Sequence, residues 1–417
     1  MTVAVFGLGF VGLTTAVCFA DRGIQTYGLD VNVERRNLID DGKLPFHEPG
    51  LGEALVRNVG KTFFVTDDVK KAVSEAGCIY YCVGTPYGDG GQADLSYLFT
   101  AIDSTLEVIR SLNDGMYRVL VTKSTIPPST TKKKIIPHIE AKGFEVGRDL
   151  GVANNPEFLR EGHCWDDVNF ADRIVLGVSD DRSKELLLQL YETFSMPKFC
   201  VSLNTGEFIK YLSNTLLATM ISYSNEMSIV ADTIGDIDVA EAFHILHMDK
   251  RWGGCSMTSY VYPGCGYGGY CLPKDTNAIY ALAKSKGFDA GILKNVIHTN
   301  DHMPEFMARR IERKICPEQT IGVLGLSFKP GSDDTRDTPA AKIIGQLMDD
   351  GYKNIIAYDP LAMEEFKKYY PFEIQYCDSK QAVVERADEL AILTAWDEFK
   401  DVQTLTDKPV IDCRYML

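Results

Sequence analysis

The chain has 417 residues, enough for two to three domains of about 150 residues each. Its 45% hydrophobic and 24% charged residues exclude a largely disordered or fibrous chain. With 43 Lys+Arg against 58 Asp+Glu, the formal net charge of -15 repels nucleic acid and anionic membrane at long range, so neither is expected as a partner.

The first residues, MTVAVFGLGFVGL, are apolar. No basic segment precedes them and no small-residue cleavage site follows, so they read as a buried strand and turn, and the protein as cytoplasmic. No apolar run approaches the roughly 20 residues that cross a bilayer. Thr-Val-Ala-Val-Phe over 2–6 predicts a strand, GLGFVG the turn, and LTTAVCFADRG a helix ending at Gly23. QTYGLD predicts a second strand that ends in Asp30. TFFVT, CIYYCVG, YRVLVTKS and DLGVANN continue the strands, with helical stretches between. Such alternation predicts an α/β, doubly wound parallel sheet.

The stretch NTGEFIKYLSNTLLATMISYSNEMSIVADTIG contains no proline and predicts one long central helix. Phe208, Leu212, Leu216 and Met220 recur at helical spacing, which predicts that this side is the buried face. A helix of this length suits a domain bridge or a dimer interface. The pattern then restarts: QTIGVLGLSFK, NIIAYDP with Asp359, ELAILTAW and PVIDCRYML predict a second Rossmann-like unit without a complete GxGxxG. The predicted domains are a dinucleotide-binding unit (1–200), a helical dimerisation segment (201–300) and a second nucleotide-binding unit (301–417).

The 11 cysteines are an odd number, as expected of reduced thiols in a cytosolic chain. None form CxxC or zinc-finger spacing, and HisGluPro at 47–49 lacks the second His of a zinc helix, so no metal is expected. Lys132-Lys133-Lys134 reads as a solvated helix face.

The GxGxxG of Gly7, Gly9 and Gly12 follows a strand, opens a helix and precedes Asp30 by about 20 residues, the context of a dinucleotide fingerprint. Asp30 can accept from both ribose hydroxyls and repels a 2′-phosphate, which favours NAD, although Arg35 and Arg36 lie close enough to serve a phosphate. VGTP with Thr85 and TKSTIP with Thr125 put hydroxyls at two strand ends, where such a sheet binds its ligand. Asn-Pro-Glu157-Phe-Leu-Arg160-Glu161 sets two carboxylates four apart, and Lys210 and Asn214 repeat that spacing on the long helix. A Lys and an Asn on one face can donate to one developing oxyanion, but such pairs are usually solvent-facing. In PGCGYGGYCLPKD the glycines 264, 266, 268 and 269 leave bare backbone for close ligand approach, and Cys271, Lys274 and Asp275 follow. A thiol beside a cation at a helix start has a lowered pKa and is a nucleophile.

The run GLGFVG, Asp30, LPFHEPGL, VGTP, KSTIPP, NPEFLREG, KYLSN, GYGGYCLPKD and GLSFKPGSDDTRDTP resembles the UDP-glucose/GDP-mannose dehydrogenase family nearly end to end, in the family order. CLPKD resembles the UDP-glucose and GDP-mannose branches; residue 270 is Tyr where a small residue or His is usual. The resemblance implies oxidation of a nucleotide-sugar C6 alcohol to a carboxylate with two NAD⁺, through a Cys271 thiohemiacetal and thioester. It implies Lys210 and Asn214 as oxyanion donors, Asp275 and Thr125 as water-positioning groups, Glu161 as the base for thioester hydrolysis and Glu157 as its supporting carboxylate. Gly7, Gly9, Val11, Gly12, Asp30, Arg35, Thr85, Thr125, Glu161, Lys274 and Arg336 form the implied NAD set. Glu157, Phe158, Leu159, Arg160, Lys210, Asn214, Tyr260, Tyr262, Gly264, Gly268, Lys329 and a neighbouring subunit's Arg251 form the implied substrate set, with a homodimer as the assembly. GDP-mannose or a UDP-N-acetylhexosamine as substrate, a single-hydride Rossmann dehydrogenase and a non-catalytic NAD-binding regulator are the alternatives; Cys271 separates the first two readings from the others.

Overall fold

The computed structural model describes residues 1–417 apart from 87, 89–91 and 250–259 and the side chains of 230 and 233. Arg251 therefore lies outside the described residues. The chain forms two compact units, Met1–Leu212 and Ser213–Leu417.

The first unit is an eight-stranded sheet in the order β3-β2-β1-β4-β5-β6-β7-β8. Its strands are β1 (Thr2–Phe6), β2 (Gln25–Leu29), β3 (Phe63–Thr66), β4 (Cys78–Tyr81), β5 (Arg118–Thr122), β6 (Leu150–Asn154), β7 (Ile174–Val178) and β8 (Lys198–Ser202). Every ladder is parallel except β6 with β7. The helices are α1 (Phe10–Asp21), α2 (Val33–Asp40), α3 (Leu51–Asn58), α4 (Val69–Glu75), α5 (Ser96–Leu112), α6 (Ile136–Ala141), α7 (Cys164–Asn169) and α8 (Asp181–Leu190). β1 shows why the strands read as continuous apolar runs. Val3 and Val5 enter one core with Leu13, Val17 and Phe19 of α1, while Ala4 and Phe6 enter the other with Ala72, Leu98 and Ile102. Both faces are covered, so residues that alternate in direction are apolar on both sides. The strand order reverses between β1 and β4, the place where an open parallel sheet offers a crevice beyond its carboxyl ends. Lys132, Lys133 and Lys134 are exposed, as expected.

α9 (Leu203–Ile234) is the expected long helix. Its exposed side differs from expectation: Phe208, Leu212, Leu216 and Tyr223 are 47%, 53%, 52% and 54% exposed. The opposite side, with Glu207, Lys210, Tyr211, Asn214, Ala218, Ser222 and Asn225, is buried. The apolar period is present, but polar side chains that find partners occupy the covered face.

The second unit also contains α10 (Val239–His247), α11 (Cys271–Ser285) and α12 (Gly291–Glu312). A five-stranded parallel sheet follows in the order β11-β10-β9-β12-β13, from β9 (Ile321–Leu324), β10 (Ile355–Tyr358), β11 (Gln375–Tyr376), β12 (Glu389–Ile392) and β13 (Val410–Asp412). Its helices are α13 (Pro339–Asp349), α14 (Met363–Tyr369), α15 (Lys380–Arg386) and α16 (Val402–Leu405). Ile321 and Val323 pack with α12 and α13, while Leu324 packs with Val383 and Val384 of α15, so this sheet too is covered on both faces.

Candidate active site

In the first unit, β1 delivers Gly7 in left-handed backbone, φ +89°. A Cβ there would lie 2.7 Å from the Cys82 carbonyl oxygen, and one at Gly12 would lie 1.7 Å from the Gly7 carbonyl oxygen. Both positions therefore require glycine for chain-to-chain approach. Nothing lies within 4 Å of a Cβ at Gly9, so that side of the turn is open. α1 starts at Phe10 with no side-chain cap and no acidic residue in its first turn, which includes half-buried Val11. Its first N–H groups and the positive end of its dipole suit an anion.

Asp30 ends β2. Its carboxylate accepts from Leu8 N–H (2.8 Å), Asn32 N–H (2.8 Å) and Arg35 (3.0 Å). Arg36 donates to the Asp30 carbonyl oxygen and to Asp67. Both arginines are thus paired with acids, which argues against a 2′-phosphate beside Asp30. The open glycine, the uncapped helix start and the carboxylate fit a dinucleotide with free ribose hydroxyls. Thr85 Oγ1 donates to the Thr125 carbonyl oxygen at 3.0 Å, tying the loop after β4 to the loop after β5.

The loop after β6 meets the start of α9. Lys210 Nζ lies 2.8 Å from Glu157 Oε1, with both side chains 6% exposed. Burial pushes the Glu157 carboxyl up, but Lys210, the Leu159 N–H (2.7 Å) and Lys123 outweigh it and hold Glu157 below the ordinary glutamate range. Phe158 lies under two cations, Arg173 at 4.2 Å and Lys210 at 5.7 Å from its ring. Arg160 grips Asp167 on an exposed edge of the same loop. Glu161 is half-buried next to it. Two residues that sequence reasoning passed over fix this corner. Asn154 Nδ2 donates to the Leu203 carbonyl oxygen at 2.9 Å, and Glu207 accepts from Ser129 N–H (2.6 Å) and Thr131 N–H (2.8 Å). Their partners are far away in sequence, so no local signal marks them.

In the second unit, Cys271 opens α11 and is exposed. Buried thiols elsewhere differ: desolvation pushes Cys18 and Cys78 up to about 12. One turn along, Asp275 is fully buried, with Lys274 on one oxygen and Asn214 Nδ2 on the other at 2.6 Å. Lys274, expected at NAD, and Asp275, expected at a water, are thus paired with each other.

The glycines before Cys271 also admit close approach by the protein's own atoms. A Cβ at Gly264 would meet the Arg414 guanidinium at 2.3 Å, at Gly266 the Asn300 amide at 2.8 Å, at Gly268 the Asp337 carbonyl oxygen at 2.4 Å and at Gly269 the Phe328 ring at 2.9 Å. Gly264 N–H donates to Asn225, and Gly269 N–H to the Arg336 carbonyl oxygen. Tyr262 hydroxyl donates to the Tyr415 carbonyl oxygen, and Tyr260 sits half-buried in the turn before it. Arg336 is held by Asp334 through two N–H groups, at 2.9 and 2.6 Å, and its guanidinium lies 4.8 Å from the Tyr270 ring. Lys329 lies over its neighbour Phe328. Asp334 has a legible signal, an acid two residues before an arginine; Asn225 has none.

A glycine turn between strand and helix, an aspartate after the next strand and a reversal of strand order at that turn define a dinucleotide-binding Rossmann protein. Sequence comparison then matches residues 1–195 to the "UDP-glucose/GDP-mannose dehydrogenase family, NAD binding domain", 204–302 to its central domain and 322–417 to its UDP binding domain. The UDP-glucose 6-dehydrogenase AglM of Haloferax volcanii is 35% identical, over 99% of this chain and 96% of that one. TuaD of Bacillus subtilis, also a UDP-glucose 6-dehydrogenase, is 33% identical over 98% and 88%. The UDP-glucose dehydrogenase structure from Pyrobaculum islandicum has TM-score 0.92 at 33% identity, covering 100% of this chain and 94% of that one. The UDP-D-ManNAc dehydrogenase of Pyrococcus horikoshii has TM-score 0.85 at 30% identity, covering 100% and 96%. The chain belongs to the UDP-glucose/GDP-mannose dehydrogenase family and is an NAD-dependent nucleotide-sugar oxidoreductase.

Proposed function

We propose that the substrate is UDP-glucose and the product UDP-glucuronate, formed with two NAD⁺ and one water: R–CH₂OH + 2 NAD⁺ + H₂O gives R–COO⁻ + 2 NADH + 3 H⁺. The names of the similar proteins and the 0.92 structural likeness support this sugar over the alternatives. The observation that carries the reaction is Cys271, an exposed thiol at the first position of α11, while the next turn is buried and ion-paired.

Bound NAD⁺ supplies the hydride acceptor, and Gly7, Gly9, Val11, Gly12, Asp30, Arg35 and Thr85 hold it, with Arg336 and Lys274 in support. Lys210 and Asn214 stabilise negative charge on the reacting oxygen, and the Lys210 cation assists loss of the alcohol proton to solvent. The Cys271 thiolate adds to the aldehyde carbon, forming a thiohemiacetal, and after the second oxidation it is bound as a thioester. Water then attacks the carbonyl carbon, Glu161 takes the water's proton, and the C–S bond breaks to return the thiolate. Glu157 is a weak base, because Lys210 holds its carboxyl below the ordinary glutamate range. Thr125 and Asp275 order the water. Phe158, Leu159, Arg160, Tyr260, Tyr262, Gly264, Gly268 and Lys329 line the sugar nucleotide.

The assembly is a homodimer through α9; the exposed stripe of Phe208, Leu212, Leu216 and Tyr223 supports it, and a light-scattering mass of one chain would reject it. Ten free cysteines among the described residues support a cytoplasmic setting, and the product suits polysaccharide biosynthesis. Among the described residues no helix is long and apolar enough to cross a membrane.

The test is Cys271→Ser with UDP-glucose and NAD⁺. The native enzyme should give two NADH per sugar, and the variant should bind NAD⁺ but make no acid. Near-normal acid formation by the variant would rule out covalent catalysis.

A further inference from the structure

Asn300 has no part in the roles assigned above, yet it is a buried amide, 5% exposed, within α12. Its partner is one residue of the glycine loop before Cys271. Asn300 Oδ1 accepts from Tyr267 N–H at 2.7 Å, and Nδ2 donates to the Tyr267 carbonyl oxygen at 3.1 Å. The amide thus binds both backbone groups of Tyr267, as a neighbouring strand would, and leaves neither orphaned in a buried place. Gly266 makes room for it. That residue is in left-handed backbone, φ +102°, and a Cβ there would lie 2.8 Å from Asn300 Oδ1.

Packing connects this clamp to the nucleophile. The Tyr267 ring shares a small core with Ala218 of α9 and with Val296, one turn before Asn300 on α12. Leu272, next to Cys271, packs against that same core. Ser222 Oγ of α9 donates to the Val296 carbonyl oxygen at 3.2 Å, so α9 and α12 hold each other at this point. On the other side of Cys271 the Tyr270 ring lies 4.8 Å from the Arg336 guanidinium, and Gly269 N–H donates to the Arg336 carbonyl oxygen at 2.9 Å. The start of α11 has no side-chain cap. The place of Cys271 is therefore set by the loop before it and by the packing of Leu272 after it, and the Tyr267 clamp serves both.

We propose that Asn300 is a positioning residue for Cys271: it fixes the Tyr267 peptide, and with it the point from which the thiolate reaches the aldehyde carbon. This rests on the covalent role of Cys271 given above. Displacing a reacting group by about 1 Å can cost on the order of 10²-fold in rate. The loss should fall on the second oxidation. The first hydride leaves the alcohol before sulfur bonds to carbon. The second leaves only from the thiohemiacetal, which forms when the S–C bond is made and the aldehyde oxygen takes a proton.

The experiment mixes full-length Asn300→Ala, in excess over UDP-glucose, rapidly with NAD⁺ and follows NADH through one turnover. The expected result is a first NADH per sugar at the native rate and a second slowed by about 10- to 100-fold, with the aldehyde between them captured by hydroxylamine. A merely structural role would lower the active fraction, which shrinks both phases together and leaves the ratio of their rates native. That outcome, or native rates in both phases, overturns the proposal. Asn300→Asp keeps the acceptor for Tyr267 N–H and loses the donor to its carbonyl. It should also slow the second phase alone, and it stands in if Asn300→Ala does not fold. Cys271→Ser is the control. If it blocks the second oxidation while the Asn300 variants leave that step untouched, positioning fails alone. If Cys271→Ser still makes acid, the covalent role fails and positioning with it.

Discussion

Both Rossmann-like halves begin alike and then part. Each has a first strand ending in a left-handed glycine, Gly7 at φ +89° and Gly325 at φ +99°, and an aspartate at the end of the neighbouring strand, Asp30 and Asp359. Each carboxylate accepts backbone N–H from its own glycine turn. In the first half the turn runs directly into α1, so helix N–H groups face the crevice. In the second half residues 326–337 intervene, and α13 begins with Pro339, which has no N–H, behind the self-capping Thr338. That half has exchanged a helix start for a loop carrying side-chain cations, Lys329 and Arg336. Asp359 is correspondingly closed: it is 0% exposed and accepts from Leu326, Ser327, Leu361 and Ala362 N–H, the Ser327 hydroxyl and the Trp396 indole. Asp30 has Arg35 as an outer partner that is 38% exposed, and a ribose can compete with such a partner. One scaffold thus serves a dinucleotide by backbone in one half and leaves the second carboxylate as an internal brace.

The harshest way to break this comparison is Gly12→Ala, whose Cβ would fall 1.7 Å from the Gly7 carbonyl oxygen. It should abolish NAD⁺ binding by calorimetry and cost about 4 kcal/mol of stability. Near-native binding would refute the turn assignment. The paired aspartates come next. Asp359→Asn should lose about 2–3 kcal/mol in denaturant titration while leaving the KM for NAD⁺ unchanged. Asp30→Asn should raise that KM about tenfold and narrow the preference for NAD⁺ over NADP⁺ with little loss of stability. A reversal of these two patterns would mean that the roles of the halves are misassigned.

The smallest effect concerns Glu157. Its folded pKa is held below its unfolded value, so its stabilisation is complete above the ordinary glutamate pKa of about 4.3 and drains as pH falls through the lower, folded value. In Lys210→Met the carboxyl keeps its burial and loses its main partner, so its folded pKa should rise. The variant's loss of Tm should then grow as pH rises from about 4 to 7, measured against the native protein. A loss that is the same at every pH would show that the ion pair does not govern Glu157.

The sequence by itself determined the two α/β halves, the long helix and the glycine–aspartate fingerprint, because these rest on local periods and turn chemistry within about 30 residues. It also placed Cys271 at a helix start. Tertiary structure alone decided which side of α9 is covered: Phe208, Leu212 and Leu216 have the right period, yet Glu207, Lys210 and Asn214 lie on the buried side because each finds a charged or hydrogen-bonding partner there. It also decided what the glycines before Cys271 accommodate, which is Arg414, Asn300, Asp337 and Phe328. Asn225 and Asn300 became legible only when folding brought their distant donors within reach. A buried polar group is defined by its partner, and a partner far away in sequence leaves no periodic trace.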